Sequence, residues 1–552
     1  MSPDLVVTTA QMQAIEANIF AAGMPVAALM EKVGGLIAAW ISDRFSLQSF
    51  NRIAVLVGPG HNGGDALVVA RELWWRGYQV EVCCPCDRQK DLTASHLRFI
   101  RSLAIPVSTD LPAAPQLWID GLFGFGLDRP IEGKIAELIT HLNSQTEPVV
   151  SIDIPSGLHT DTGAVLGTAV RATHSLCLGL WKRAFCQAAA LPYLGERHLI
   201  DFNIPPGAIQ TGLGAVPRVR CLTPASALAR LPLHRPAATH KYQLGHLLLV
   251  VGSRQYGGAA LLAGLGARAS GVGMLTLVVP ESLRLLVLGH LPEALVVGCA
   301  ETATGAIAAL PDHLDLSRYQ AVGWGPGLSA GAVAVVEPLL HSSVPLVGDA
   351  DGLNLLADLG LLPRLGQRSA PSLITPHPGE FRRLFPGLLE TASDPGQAAQ
   401  LAAAQSGIVV LLKGACTAIA HPDGRLWFNT DSTPALARGG SGDVLTGLVS
   451  GLLAQAIALA PRTALSPSSP PPLAASQKTH PALTLPDPPG PPWAGQSMAI
   501  AARLDTLLDA ALAATWWHAQ AAQYLVRSNT VLGVDGAHLA AALSPTLATY
   551  LR

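Results

Sequence analysis

Short apolar runs recur along this chain, each closing on glycine, proline, aspartate or lysine and each followed by a stretch long enough for a helix. Residues 53–57 stop at Gly58-Pro59-Gly60, residues 79–84 at Pro85, residues 117–120 at Gly121 and residues 149–152 at Asp153. A second series follows at 246–251, 274–279, 321–324, 345–349, 372–375 and 409–413. Runs so short and so uniformly apolar suit strands buried on both faces. Strands that alternate with helices build βαβ units on a parallel sheet. Such sheets bind ligands at the carboxyl ends of their strands, so the residues closing each run are the candidates for chemistry.

Two series in 552 residues imply two domains. Proline becomes frequent and the pattern loosens over 205–236, which sets the domains at 1–220 and 221–552. A stretch rich in Pro, Ser and Ala, from 461 to about 495, has no apolar period and reads as a flexible insertion of polyproline character. A globular pattern resumes over 497–527, and a short tail carries Val534-Asp535-Gly536.

Composition removes several function classes. A net charge of -2 gives no basic field, so no nucleic-acid partner is expected. Mean hydropathy is +0.36, yet the apolar runs are too short to span a bilayer, and residues 498–517 carry Arg503, Asp505 and Asp509. No membrane partner is expected. The eight cysteines are scattered, and their one cluster, Cys83-Cys84-Pro85-Cys86, lacks a second pair at zinc spacing. Reduced thiols and the lack of a basic-then-apolar leader give a cytoplasmic expectation.

Three motifs mark the first half. His61-Asn62-Gly63-Gly64-Asp65 follows Gly58-Pro59-Gly60 directly after a strand, where glycines let backbone N–H groups approach an anion. Its spacing is neither the dinucleotide fingerprint nor a P-loop, and it reads as a glycine-rich loop leading into a helix over 66–76. Asp120-Gly121 closes one strand, and Asp153-Ile154-Pro155-Ser156-Gly157 closes another. Turn formation and capping account for any one of these alone. All three together point to acids converging on one crevice.

The second half carries Arg438-Gly439-Gly440-Ser441-Gly442-Asp443, a glycine turn opening a helix. Its N–H groups can form an anion hole beside Asp443, which can take a proton from a substrate hydroxyl. Lys413-Gly414-Ala415-Cys416-Thr417 suits a nucleotide phosphate, and Thr375-Pro376-His377-Pro378-Gly379-Glu380 aims a histidine and an acid from a rigid turn. Glycine-shaped loops at 252–260 and 323–328, and the carboxylates of Asp349-Ala350-Asp351, complete the same edge.

The first half resembles the NAD(P)H-hydrate epimerase family, and the second resembles the ADP/ATP-dependent NAD(P)H-hydrate dehydratases. The resemblance implies an α/β chain: a Rossmann-like three-layer domain followed by a ribokinase-like domain. It implies that His61, Asn62, Gly63, Gly64, Asp65, the loop Gly124, Phe125, Gly126, Leu127, Asp128, Arg129, Pro130, and Asp153 contact the hydrate. Asp153 is the implied acid/base, with Lys182 or Arg129 as a second. Potassium falls on Asn62, Asp120 and Ser156. In the second domain, Ala259, Gly327, His377 and Asp443 are the implied substrate contacts, with Asp443 catalytic. Lys413, Gly414, Ala415, Cys416, Thr417 and Gly442 hold the nucleotide. The fused arrangement resembles bacterial bifunctional enzymes, which implies ADP with Mg²⁺, and a homo-oligomer is expected. Two positions depart from the family pattern: His61 stands where Asn is usual and Ala66 where Gly is usual.

Two other readings compete. A ribokinase-like vitamin-precursor kinase shares the glycine-aspartate logic but leaves the TPHPGE motif and the fused first domain without a role. An RNA-processing scaffold shares the first domain but has no use for Asp65, Asp120 and Asp153.

Overall fold

The computed structural model describes residues 4–214, 218–460 and 498–552, so the insertion expected at 461–495 lies outside the described residues. The chain divides into two compact units, Met1–Cys221 and Leu222–Arg552.

The sheet of the first unit has seven strands: β1 (Arg52–Val57), β2 (Gln79–Cys83), β3 (Val107–Ser108), β4 (Leu117–Gly121), β5 (Val149–Ile152), β6 (His174–Leu178) and β7 (Glu196–Ile200). They run in the order β3-β2-β1-β4-β5-β6-β7, every pair parallel. This is a doubly wound order, reversing between β1 and β4. The two-residue period of β1 splits its side chains between two cores. Ile53, Val55 and Val57 pack with α1 (Thr9–Ala21), α2 (Val26–Arg44), α3 (His61–Trp75) and α4 (Asp91–Ser102), whereas Ala54 and Leu56 pack with α5 (Gly133–Leu142).

One boundary differs from expectation in a way that matters. The helix expected from Ala66 begins at His61, so the segment read as a loop is the first turn of α3. The cause is close packing: a Cβ on Gly63 would fall 2.0 Å from the Gly58 carbonyl oxygen. Glycine here lets a helix end abut a strand end. Strands β6 and β7 were not legible as apolar runs, because His174, Glu196, Arg197 and His198 interrupt them toward the sheet edge.

The second unit has nine strands: β8 (His246–Val250), β9 (Met274–Pro280), β10 (Leu295–Cys299), β11 (Ala321–Trp324), β12 (Leu346–Gly348), β13 (Ser372–Ile374), β14 (Val409–Leu412), β15 (Thr417–Ala420) and β16 (Leu426–Asn429). Their order is β16-β15-β14-β13-β12-β11-β8-β9-β10; β14 through β10 are parallel, and β15 and β16 return antiparallel. Its helices include α6 (Gly257–Ser270), α7 (Ala350–Asp358), α8 (Pro378–Leu384), α9 (Pro395–Ser406), α10 (Ser441–Leu459), α11 (Met498–Asn529) and α12 (Gly536–Tyr550). The tail expected after Val534 is α12, capped by the Asp535 carboxylate accepting from the His538 N–H at 2.9 Å.

Helix α10 has a mean hydropathy of 1.5 and is long and apolar enough to cross a membrane, but 67% of that stretch is buried within its own unit. A helix apolar on all sides belongs in a core. It lies hard against α6: a Cβ on Gly447 would sit 1.9 Å from the Ala263 carbonyl oxygen, and one on Gly266 would sit 2.2 Å from that of Val444. This contact fixes where the N-terminus of α10 points.

Gly447→Ala should therefore push α6 and α10 apart, costing about 1–3 kcal/mol. Denaturant unfolding followed by tryptophan fluorescence should show a lower midpoint for the transition of the second unit; an unchanged midpoint would mean that the helices yield freely.

Candidate active sites

In the first unit, a cavity of about 530 Å³ opens at the carboxyl ends of β1, β4 and β5. Its wall includes His61, Asn62, Asp65, the loop from Gly124 to Arg129, and Asp153. Gly63 packs against the Gly58 carbonyl and Gly64 against Met30 of α2 and Thr93 of α4, and neither they nor Pro130 line the wall. Of the two candidates for a second acid/base, both reach the cavity, but only Lys182 is buried, at 1% exposure.

Lys182 holds Asp153. Its ammonium sits 2.6 Å from Asp153 Oδ1 and donates to the Leu178 carbonyl. The Phe125 N–H donates to Asp153 Oδ2 at 3.0 Å, and the Leu178 N–H donates to Oδ1 at 3.4 Å. Burial alone would depress the lysine, but Asp153 and its other anionic neighbours outweigh it and raise its pKa. Asp153 adopts φ +67°, a left-handed conformation that aspartate tolerates better than most side chains.

Sequence reasoning missed Glu16. It lies on α1, one turn after the buried Met12, and reaches the cavity beside Gln13 and Phe20. Half-buried, it is raised to about 7 by desolvation, against the pull of Lys182 and with a further push from Asp153. Asp65 is pushed well above the carboxylate range, first by burial and then by Asp153 and Glu16. Nothing in the local sequence marks Glu16, because an acid on an amphipathic helix ordinarily faces water.

Asp120 and Ser156 sit behind the loop that follows β4. Asp120 is fully buried and accepts four hydrogen bonds: Ser156 Oγ at 2.6 Å, Ser151 Oγ at 2.8 Å, Ser156 N–H at 2.9 Å and Leu122 N–H at 3.2 Å. Burial raises its pKa and these bonds offset only part of the shift. No salt bridge reaches it among the described residues. Asn62 is turned toward the same loop, since a Cβ on Gly124 would lie 3.2 Å from its Oδ1, and its buried Nδ2 has no partner among the described residues.

A third cluster lies at the opposite ends of the strands. His174, Glu196 and His198 bring ligand atoms within 3.4–3.6 Å of one another on β6 and β7. Desolvation lowers both histidines and the Arg44 guanidinium lowers them further. The same guanidinium opposes a bound cation there, and the Glu196 side chain is 70% exposed.

In the second unit, the strand ends converge on one chain of polar contacts. The Lys413 ammonium donates to Asp349 Oδ1 at 2.7 Å, and Thr446 Oγ1 donates to Asp349 Oδ2 at 2.7 Å. Lys413 also lies 4.0 Å from Glu380, which accepts the His377 N–H at 2.8 Å and faces the His377 ring at 3.3 Å. The His377 ring caps α8 through Nδ1 and leaves half its surface exposed. Asp351 accepts from the Ser329 N–H at 2.8 Å, which ties α7 to the loop after β11.

Asp443 stands in the first turn of α10 and is raised to about 7, mainly by desolvation, then by Asp349 and Asp351, with Lys413 opposing. Gly440 caps α10 in a left-handed conformation, φ +91°. A Cβ on Gly442 would lie 3.5 Å from the Lys413 nitrogen, so the turn and the lysine share one space. Ala259 and Gly327 face each other across the neighbouring loops, and Gly414 and Thr417 close the turn after Lys413 through a 3.1 Å hydrogen bond. Asp349 is the central residue that sequence reasoning left unassigned.

Residues 26–184 match the family described as YjeF-related protein N-terminus, and residues 247–470 match the NAD(P)H-hydrate dehydratase family. A bifunctional NAD(P)H-hydrate repair enzyme from Thermosynechococcus vestitus is 48% identical, covering 98% of this chain and 97% of its own length. One from Synechocystis is 49% identical over 99% of this chain and 95% of its own. One from Gloeobacter violaceus is 46% identical over 98% and 97%.

Removing Lys182 by substitution to methionine would leave Asp153 buried without its partner, and a broken buried pair costs about 3–5 kcal/mol. Denaturant unfolding of Lys182→Met should show that loss in the first unit. A loss under about 1 kcal/mol would mean that water or a neighbour replaces the ammonium.

Proposed function

This chain belongs to the bifunctional NAD(P)H-hydrate repair enzymes, and on that premise we propose how its two sites divide the work. The first unit interconverts the R and S hydrates. The second dehydrates the S form to NAD(P)H, at the expense of ADP, giving AMP and phosphate. The observation that carries the reading of the second site is Asp443: a carboxyl at the N-terminus of a buried helix, raised to about 7 beside the Asp349–Lys413 pair.

A general base works best when its pKa lies near the working pH. Asp443 takes the proton of the C6 hydroxyl, and that oxygen attacks the terminal phosphoryl group of the nucleotide. The N–H groups opening α10 at Gly440–Gly442 face the transferred group and stabilise its charge. Lys413 keeps two further N–H donors beyond the one spent on Asp349, enough to meet a phosphate. Residues Gly414 to Thr417 shape the nucleotide side, and Ala259, Gly327 and His377 the substrate side. Asp349 and Asp351 offer the hard oxygen ligands that suit Mg²⁺, which would neutralise charge on the phosphates. Loss of phosphate then restores the ring double bond.

In the first unit, Asn62, Asp120 and Ser156 fit a monovalent cation chemically. Asp120 is a buried carboxyl with no ionic partner among the described residues, and Ser156 and Asn62 add a hydroxyl oxygen and an amide oxygen. Potassium would supply the compensating charge beneath the Gly124 loop. The substrate lies above that loop, against His61, Asn62, Asp65 and Asp153. A cytoplasmic, homo-oligomeric enzyme is the form this reading carries.

Asp443→Asn should abolish dehydration while thermal unfolding stays near that of the parent, followed by the near-ultraviolet absorbance of reduced nicotinamide. In the parent, kcat/KM should fall about tenfold per pH unit below the Asp443 pKa, because protonation removes the base; that limb is expected at about 7. Retained turnover in the variant would overturn the assignment. Replacing K⁺ with tetramethylammonium should slow R-to-S conversion without changing dehydration of pure S hydrate; equal slowing of both would place the cation elsewhere.

A further inference from the structure

We propose that Glu16 is the acid/base that moves the proton between the substrate's hydroxyl oxygen and ring nitrogen during epimerisation, a role that rests on the reading of the first unit given above. The cavity wall carries four carboxyls, of which Asp128 is exposed and Glu16, Asp65 and Asp153 are not, and one buried ammonium, Lys182. The ammonium is committed to Asp153 at 2.6 Å, and two backbone N–H groups complete that carboxylate's shell. The Lys182–Asp153 pair is therefore built to orient and to hold charge.

Glu16 differs in position. It comes from α1, which is not part of the sheet edge, and lines the cavity with Phe20 of the same helix and Phe202. Among the described residues, no hydrogen bond or salt bridge holds its carboxyl. α1 itself is firmly placed: Thr8 and Gln11 form a capping box, and Asp161 accepts from the Thr9 N–H at 2.7 Å. A free carboxyl on an anchored helix, facing a fixed ion pair across a cavity, can move a proton without breaking the structure around it.

The step balances within the substrate. The hydrated carbon is a carbinolamine, bearing both the hydroxyl and the ring nitrogen. The Glu16 carboxylate takes the hydroxyl proton; the oxygen's electron pair forms the carbonyl as the carbon–nitrogen bond breaks, and that pair goes to the nitrogen. The Glu16 carboxyl then gives its proton to the nitrogen. Rotation about the adjacent carbon–carbon bond turns the other face of the aldehyde inward. The reverse sequence closes the ring with inverted configuration, and no oxidant or co-reactant is used. Asp65 is pushed well above the carboxylate range, first by burial and then by Asp153 and Glu16, which suits it to donate a hydrogen bond.

The charged groups around Glu16 set the pH at which it works. Asp153 faces it from the end of β5, Lys182 from the segment that follows β6, and Asp65 from α3. His61, Lys90, Asp128 and Arg129 are the other ionisable groups on the wall. Lys182 lowers the Glu16 pKa, while desolvation and Asp153 raise it further, to about 7.

The test uses the full chain without nucleotide, following the R and S hydrates chromatographically above the spontaneous rate. Glu16→Gln should lower kcat for epimerisation about 10²–10⁴-fold, with KM and the unfolding midpoint little changed. The acid limb of kcat/KM, which the parent shows near the Glu16 pKa, should disappear. Glu16→Asp should recover part of the rate. Asp65→Asn should keep the limb, because an amide still donates. A parental rate in Glu16→Gln, or a limb lost in Asp65→Asn and kept in Glu16→Gln, overturns the inference alone. No acceleration by the parent chain overturns the reading of the unit and the inference with it.

Discussion

Each unit commits one lysine to a buried carboxylate at a strand end. In the first it is Lys182 on Asp153 at 2.6 Å, and in the second Lys413 on Asp349 at 2.7 Å. A buried charge without a partner is unaffordable in a protein of marginal stability, so these pairs must form. Their chemical use comes from what they leave over. Each site has more carboxyls than cations, and the surplus acids are raised: Glu16 and Asp65 in one, Asp443 in the other. Like charges crowded in low dielectric cannot all ionise near neutral pH. One arrangement thus supplies a fixed ion pair for orientation and a neighbouring carboxyl ready to exchange a proton.

The parallel sheets explain why the acids meet. Strands that share a direction bring all their carboxyl ends to one edge, and short turns there project side chains into a crevice. What the sheets cannot do is set a helix end to within an ångström, and that falls to close packing. Gly63 against Gly58 places the first turn of α3, and Gly447 against Ala263 places α10. Asn62 and Asp443 each ride on a helix N-terminus fixed in this way.

Most of this was legible in the sequence where it depends on strand ends. Asp120, Asp153, Lys413 and Asp443 each close an apolar run or open a glycine turn, and those patterns are local. The pairings were not legible. That Lys413 would hold Asp349, 64 positions away, follows from strand order in space. Glu16 escaped because its cue is negative: a helical acid that fails to face water. The boundary of α3 was misplaced because two glycines look like a loop until the strand they pack on is known.

The two departures from the family pattern show how structure absorbs substitution. Ala66 is fully buried in the core and does not line the cavity. Its methyl lies where a side chain on Gly121 would go, 2.3 Å from that Cβ position, so the missing side chain of Gly121 makes room for it. His61 stands exposed at the cavity rim, its pKa lowered by burial of the ring and by Lys90. A lowered pKa favours the neutral ring, which offers a donor and an acceptor, close to what an asparagine there would offer. Neither change touches the Lys182–Asp153 pair or the carboxyls beside it, so the charges of the site are set apart from both positions.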